Sequence, residues 1–209
     1  MMLQPIQMTH QPIALVVLLA AVLGAATPAA GQSVSRVYTT FDSDKCRHTP
    51  GREVEDYGSW RCPGHAGIDV VLSAGDQRMR VSFGRKARDE PAARQTFPAF
   101  NDVYKGTVEW RLEQLPNGRT RPFATILRWN VKTADEIERR TASGRVLVVT
   151  RLGPGGVCHV GYVDARANPD ANALAAQLAD DKARAFQCGK DKPITLGTVT
   201  PGLSMQYRD

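Results

Sequence analysis

The sequence predicts an α+β fold: an antiparallel β-sheet or partly open barrel of about six to eight strands with one C-terminal helix. Three observations predict it. Apolar and polar residues alternate over short segments between residues 68 and 163, the signature of half-buried strands. Turn-forming residues punctuate those segments at "AGDQ" (74–77), "PNG" (116–118) and "GPGG" (153–156). Only one stretch, Pro169 to about Gln187, combines a helical period with start and stop signals.

In the first hairpin Ile68, Val70 and Leu72 share a face, and Met79, Val81 and Phe83 continue it on the return strand. Gly75-Asp76 supplies the turn chemistry between them. Residues 85–102, "RKARDEPAARQTFPAFND", are the longest irregular section, a loop or short helix and a fair place for a functional excursion. In the second hairpin Tyr104, Val108, Trp110 and Leu112 face one way, and Phe123, Leu127, Trp129 and Val131 alternate with Arg128, Asn130 and Lys132 beyond "PNG". In "TADEIERRTASG" (133–144) Thr133 and Glu136 fit a capping box, but Ile137 is the one sizeable apolar residue, so a short helix and a sheet excursion both remain open. "RVLVVTRL" (145–152) is apolar on both faces at its centre and reads as an interior strand, paired through "GPGG" with "VCHVGYV" (157–163).

The helix has Asn168 as N-cap, Pro169 at its first position and Asp170 at its positive end. Ala171, Leu174, Ala175, Leu178, Ala185 and Phe186 form its apolar stripe, and Gly189 suits its stop. The remaining stretch, "PITLGTVTPGLSMQYRD", adds one short strand and then a tail that frays from about 200.

Residues 1–31 read as a secretory signal peptide. Ile13 to Ala26 is an apolar run with a single Gly, shorter than the ~20 residues of a spanning helix. Ala29-Ala30-Gly31 makes a plausible cleavage site, with a retained anchor as the alternative; no Lys or Arg precedes the run. A single exported domain then covers 32–209, periplasmic or secreted, with no membrane span after cleavage. All 27 Lys and Arg and all 21 Asp and Glu lie beyond the leader, leaving a formal charge of +6. The basic residues are interspersed with acids, as in "GRKARDEPAARQ", so the pattern argues against nucleic acid. It reads first as a solvated, mixed-charge surface; the partner is left unknown, with an anionic envelope component or another exported protein as the candidates.

The four cysteines are Cys46, Cys62, Cys158 and Cys188. An even number in an oxidising compartment points to disulfides, with three possible connectivities. Chain order favours Cys46–Cys62, closing a loop worth about 3 kcal/mol, and Cys158–Cys188, tying the helix end to a strand.

Three cysteines have a histidine close by, which raises a metal or thiolate site. No C-x-x-C occurs, and the neighbours Cys158 and His159 would face opposite sides of a strand. We therefore expect no metal, cofactor or catalytic cysteine. His48 and His65 are candidates because the Cys46–Cys62 bond would draw their segments together. Glu53, Glu55 and Asp56 could include a hydrolase acid. G-x-S-x-G, S-x-x-K, H-E-x-x-H and the P-loop motif are all absent. Trp60 is expected to pack over the disulfide, and Trp110 and Trp129 in the core.

The run "YTTFDSDKC…DYGSWRCPGHAGIDVVLSAGDQRMRVSFG", with "GGVCHVGYVDARANPDANALAAQLADDKARAF", resembles small exported bacterial proteins of uncharacterised function. The resemblance spans nearly the whole exported part and implies a periplasmic or secreted location, without an activity, cofactor or functional residue. The W-x-C ahead of an alternating hairpin is also similar to lysozyme-inhibitor-type barrels. Together these lead us to expect a non-enzymatic, disulfide-stabilised binding or structural module. The alternative is a periplasmic hydrolase of an envelope polymer with its acids at 53–56.

Overall fold

A computed structural model describes Met2 and residues 33–132 and 144–205; the 133–143 segment, with its capping box, lies outside them. The fold is α+β, but its strands form two sheets rather than one sheet or a partly open barrel. Among the described residues there are eleven strands: β1 (Val34–Asp42), β2 (Arg47–Thr49), β3 (Asp56–Cys62), β4 (Val70–Gly75), β5 (Arg78–Phe83), β6 (Asn101–Asp102), β7 (Lys105–Gln114), β8 (Thr120–Val131), β9 (Gly144–Arg151), β10 (Cys158–Asp164) and β11 (Ile194–Thr195). The helix α1 spans Ala171–Lys182. The larger sheet runs β1-β7-β8-β9-β10-β11, with β6 joined to the far end of β8, and the smaller runs β2-β3-β4-β5. All pairs are antiparallel except β10 with β11, so the larger sheet is mixed.

The strand count exceeds the expectation because β1, β2 and β3 carry few apolar residues. β2 is exposed along its whole length, and β1, an edge strand, exposes Arg36, Tyr38 and Thr40. Apolar alternation detects strands that bury a face, and these bury little.

The first hairpin forms with β4 paired to β5, and Met79, Val81 and Phe83 are buried as their alternation requires. Its two-residue turn is Asp76-Gln77, one position later than expected, and both residues hold positive φ (49° and 54°). That is the conformation a tight hairpin demands of its central pair. Ile68 precedes the strand, which starts at Val70 behind a short 3-10 turn at His65–Gly67. Gly64, just before that turn, has no room for a side chain. A Cβ there would collide with Ile68 O and lie 2.8 Å from the Trp110 ring.

Within the second hairpin the face assignment fails at one residue. Leu127, Trp129 and Val131 face the smaller sheet, with Val108, Trp110 and Leu112 opposite. Phe123 faces the helix instead, beside Ala124 and Ile126. A bulge causes this: Arg111 pairs with Ala124 but Leu112 with Pro122, so Phe123 is the extra residue and the alternation slips by one. Trp110 is fully buried, and its indole N–H donates to Thr39 Oγ1 at 2.8 Å. Tyr104 precedes β7 and stays partly exposed.

The core therefore has two layers. Between the sheets lie Leu72, Val81, Trp110, Trp129 and Tyr162, closed off by Phe97 from the irregular 85–102 section and by Val103 just after it. That section forms two 3-10 turns, Ala87–Asp89 and Pro91–Arg94, and is anchored to β5. Asn101 Oδ1 accepts Met79 N–H, and Asn101 Nδ2 donates to Thr96 Oγ1 and Ala99 O. It plugs the sandwich. The second layer lies between the larger sheet and α1, built from Val149, Val160, Ala175, Leu178 and Ala179.

α1 differs at both ends from its expected bounds. Asn168 does not cap it; its amide is held by Asp164 O, Thr198 O and Thr198 N–H, which fastens the returning chain to β10. Asp170 occupies the cap position without a side-chain bond. The helix stops at Lys182, and Ala183 rather than Ala185 is buried beyond it. The chain must leave the helix axis there, since Cys188 is bonded to Cys158 on β10 with Cα atoms 5.7 Å apart. Arg151, on β9, donates to Phe186 O and Pro154 O and holds the same corner. Among the described residues past 200, Leu203 and Met205 are buried, so the chain does not fray there as far as 205.

Both disulfides join the cysteines that chain order pairs, Cys46–Cys62 and Cys158–Cys188, and no cysteine is free. Replacing Cys158 and Cys188 together by serine should lower unfolding free energy by about 3 kcal/mol, from the entropy of the 30-residue separation they close. Urea denaturation of the double variant against the parent checks this.

Candidate functional site

The sequence candidates belong to the smaller sheet and its connections, and the two histidines do not meet each other. His48 stacks on its cross-strand partner Trp60 (ring centroids 4.7 Å apart), and its Nε2 donates to Tyr57 O at 3.1 Å. His65 tilts against Trp110 from the 3-10 turn. Each imidazole thus packs on a different tryptophan. Trp60 shares the Cys62 face of β3 and is half-buried against the core near Cys46, with Tyr104 edge-on. Trp110 and Trp129 are core residues.

Glu53, Glu55 and Asp56 do come together, with Asp76 and Arg80, around an open dish at the β3–β4 end. Asp56 is engaged by the Arg52 and Gly58 amides, and Asp76 by Arg78 at 2.5 Å. Glu53, Glu55 and Asp56 are all exposed, so water solvates them and no wall holds a pair at fixed separation. Among the described residues no three of His, Cys, Asp and Glu gather as metal ligands, and no helix is long and apolar enough to cross a membrane.

Two larger concavities lie on the larger sheet. The first, a cleft of about 830 Å³, opens between the Pro91–Arg94 turn, the Gly189–Pro193 loop and the returning chain. Its apolar lining is Tyr162, Val199, Leu203 and Met205, and Arg94, Lys190 and Lys192 stand around it. Its one acid, Asp191, is engaged by the Gln187 amide.

The second is a basin of about 650 Å³ over β1, β7, β8 and β9, walled by the first turns of α1. Strand register builds it. Tyr38 lies opposite Glu109, and Asn130 lies opposite Arg145, which puts Arg128 and Arg145 diagonal to one another on one face. Arg128 donates to Asn172 Oδ1 at 3.0 Å and has no carboxylate partner among the described residues; neither do Arg36 and Arg145. Burial first and the Arg145 charge second hold the Arg128 pKa below the usual guanidinium value. The acid in the basin, Glu109, is engaged by Arg111 at 2.8 Å and by the Tyr38 hydroxyl at 3.2 Å.

Beside the basin, under α1, the charges are paired. Arg111 bridges Glu109 and Asp180, and Glu113 takes Arg121 and Arg184, whose guanidinium also covers the Phe123 ring at 3.7 Å. Burial works to raise the Glu113 carboxyl, but its two arginines outweigh it and leave the pKa below the usual range. This network fixes the helix to β7 and β8, and the basin begins where it ends.

His159, on β10, is buried between Trp129 and Tyr162. Its Nδ1 shares a hydrogen bond with the Tyr162 hydroxyl at 3.1 Å, and Nε2 is unpartnered among the described residues. Burial pushes its pKa down to about 3.

Arg36, Tyr38 and Arg145 escape sequence reasoning aimed at catalytic motifs. The one signal of the two arginines is positional: each lies on a strand with no acid opposite it, Arg36 across from Arg111 and Arg145 across from Asn130, while Tyr38 faces Glu109.

No protein family, curated protein or solved structure matches this chain.

The environment of His159 makes stability depend on pH. The folded imidazole stays neutral until about pH 3, whereas the unfolded one binds a proton below about 6.5. The unfolded state is then the more protonated, so stability falls as pH drops from about 6.5 towards 3. Between pH 6.5 and 4.5, above most carboxylate titration, His159→Leu should flatten this slope in urea midpoints, while the parent loses stability steadily.

Proposed function

We propose that this chain is an exported, disulfide-stapled binding module, periplasmic or secreted, that holds an anionic partner without chemical turnover. The observation that carries the reading is how charges are distributed over the concavities. In both large ones the acid is engaged internally, Asp191 by a backbone amide and Glu109 by Arg111. Arg94, Lys190 and Lys192 in the cleft, and Arg36, Arg128 and Arg145 in the basin, have no carboxylate partner among the described residues, whereas Lys105 at the basin edge is paired with Asp42 and Asp44. Such a surface attracts anions and offers no general acid beside them. The formal +6 charge adds long-range attraction to negatively charged envelope polymers. The two disulfides fit an oxidising compartment, and the 1–31 leader supplies the route. The hydrolase alternative rests on the acidic dish at 53–56, which is open and solvated.

Expression of the full chain in a bacterial host tests the reading. The expected result is recovery outside the cytosol with no free thiol, and retention on an immobilised acidic polysaccharide at low salt that is lost well before 1 M salt, where the screening length is ~3 Å. A cytosolic protein with four titratable thiols, or one that flows through the column at low salt, contradicts it.

A further inference from the structure

Like charges directly opposite one another destabilise a sheet, and long side chains at diagonal positions on paired strands are still within reach of one another. Arg128 and Arg145 form such a pair, diagonal across β8 and β9 in the basin. Neither is paired with an acid among the described residues, and Arg128 is half-buried. Beside the basin the chain supplies a carboxylate to Arg111 and Arg184, and at the helix exit it gives Arg151 two backbone carbonyls. At Arg128 it supplies a neutral amide, Asn172, which orients one edge of the guanidinium and leaves its charge uncompensated. Two guanidiniums on one concave face provide the planar N–H pairs that clasp a carboxylate or phosphate from two sides.

The rest of the basin is not that of a free-ion site. Tyr38 is 55 % exposed on β1 with its hydroxyl tied to Glu109, so its ring is held at the basin edge as an open apolar plate. Asn172, on the wall, and Asn130, engaged on one side by Asp102, are neutral side chains suited to hydroxyl groups. Arg36 lies along β1 from Tyr38, a third guanidinium at a distance from the first pair. An extended ligand that alternates negative groups with polar, flat-faced units matches this order; a compact inorganic ion uses only one end.

We propose that the basin binds an anionic saccharide, with its acidic group seated between Arg128 and Arg145 and a sugar ring resting on Tyr38. This rests on the reading of the chain as an anion-binding module and assigns the site and ligand class. The seat is an arginine pair that the fold leaves in repulsion, so filling it relieves strain in the free protein as well as adding contacts.

Isothermal titration calorimetry on the mature protein tests this, with tetragalacturonate as the carboxylate probe, glucose 1-phosphate as the phosphate probe, and inorganic phosphate and maltotetraose as controls. The expected result is saturable binding of at least one charged sugar, at least tenfold tighter than either control. Arg128→Gln and Arg145→Gln should each weaken it about tenfold, and Tyr38→Ala should weaken sugar binding but leave inorganic phosphate unchanged. In the ligand-free protein Arg145→Gln should hold or raise the melting temperature, because it removes a repulsion; a merely structural arginine would lower it. Equal affinity for inorganic phosphate and the sugars overturns the saccharide assignment. Binding that survives both arginine variants but is lost on combined Arg94→Gln, Lys190→Gln and Lys192→Gln overturns the basin as the site, yet leaves the anion-binding reading standing. Absence of binding by every probe, with salt-dependent retention on acidic polysaccharide intact, also overturns the inference alone.

Discussion

A length mismatch governs the outer face of the larger sheet. The helix has 12 residues and extends ~18 Å, whereas the 12 residues of β8 extend ~40 Å. One helix of this size cannot cover the sheet. It lies chiefly over β9 and β10, running along the strands from Arg128, touched by Asn172, to Phe123, covered by Arg184. The part of the sheet that lies beyond the start of the helix, on the β1 side, is left open as the basin. The other face has no such gap, because the four-stranded sheet and the 85–102 plug close over it.

The position of the helix is fixed from both ends. The Cys158–Cys188 bond and Arg151 hold its exit against β10 and β9. Arg111–Asp180 and Glu113–Arg184 hold its flank to β7. Its start is set by the β10 corner, where Asp164 accepts the Arg166, Ala167 and Thr200 amides while Asn168 clasps Thr198. Burial acts to raise the Asp164 carboxyl, and the Thr200 hydroxyl and these amides overcome it, leaving the pKa lowered. With the helix immobilised, the basin is a fixed concavity, and a preformed site avoids the ordering cost that a mobile one pays on binding.

What could be read from the sequence follows from burial. Met79, Val81 and Phe83, and Leu127, Trp129 and Val131, alternate because one face meets the core, and the structure places them there. The cysteine pairing followed chain order because each bond joins segments that the topology keeps adjacent. Phe123 was misplaced because a single bulge shifts parity, and no residue type marks a bulge in advance. The helix end was misplaced because Cys188 and Arg151, tertiary partners, decide it rather than Gly189. β1 to β3 were invisible to apolar patterning, and Arg36 and Tyr38 went with them. Arg128 was visible as a polar-face residue, but its neighbour Arg145 is set by the β8–β9 register, which sequence does not print. The imidazoles and acids that do stand out by type, His48, His65, Glu53, Glu55 and Asp56, have packing or solvated roles in the smaller sheet.

On this reading the uncovered end of the larger sheet is where the protein meets its partner. Amide chemical-shift mapping of the 15N-labelled protein during titration with tetragalacturonate tests that most directly. The account predicts saturable shifts centred on Arg36, Tyr38, Arg128, Asn130, Arg145 and Asn172, on four strands and the helix start, with little change across β2 to β5. Shifts centred instead on Arg94, Lys190 and Lys192, or spread evenly over exposed basic residues, would contradict it.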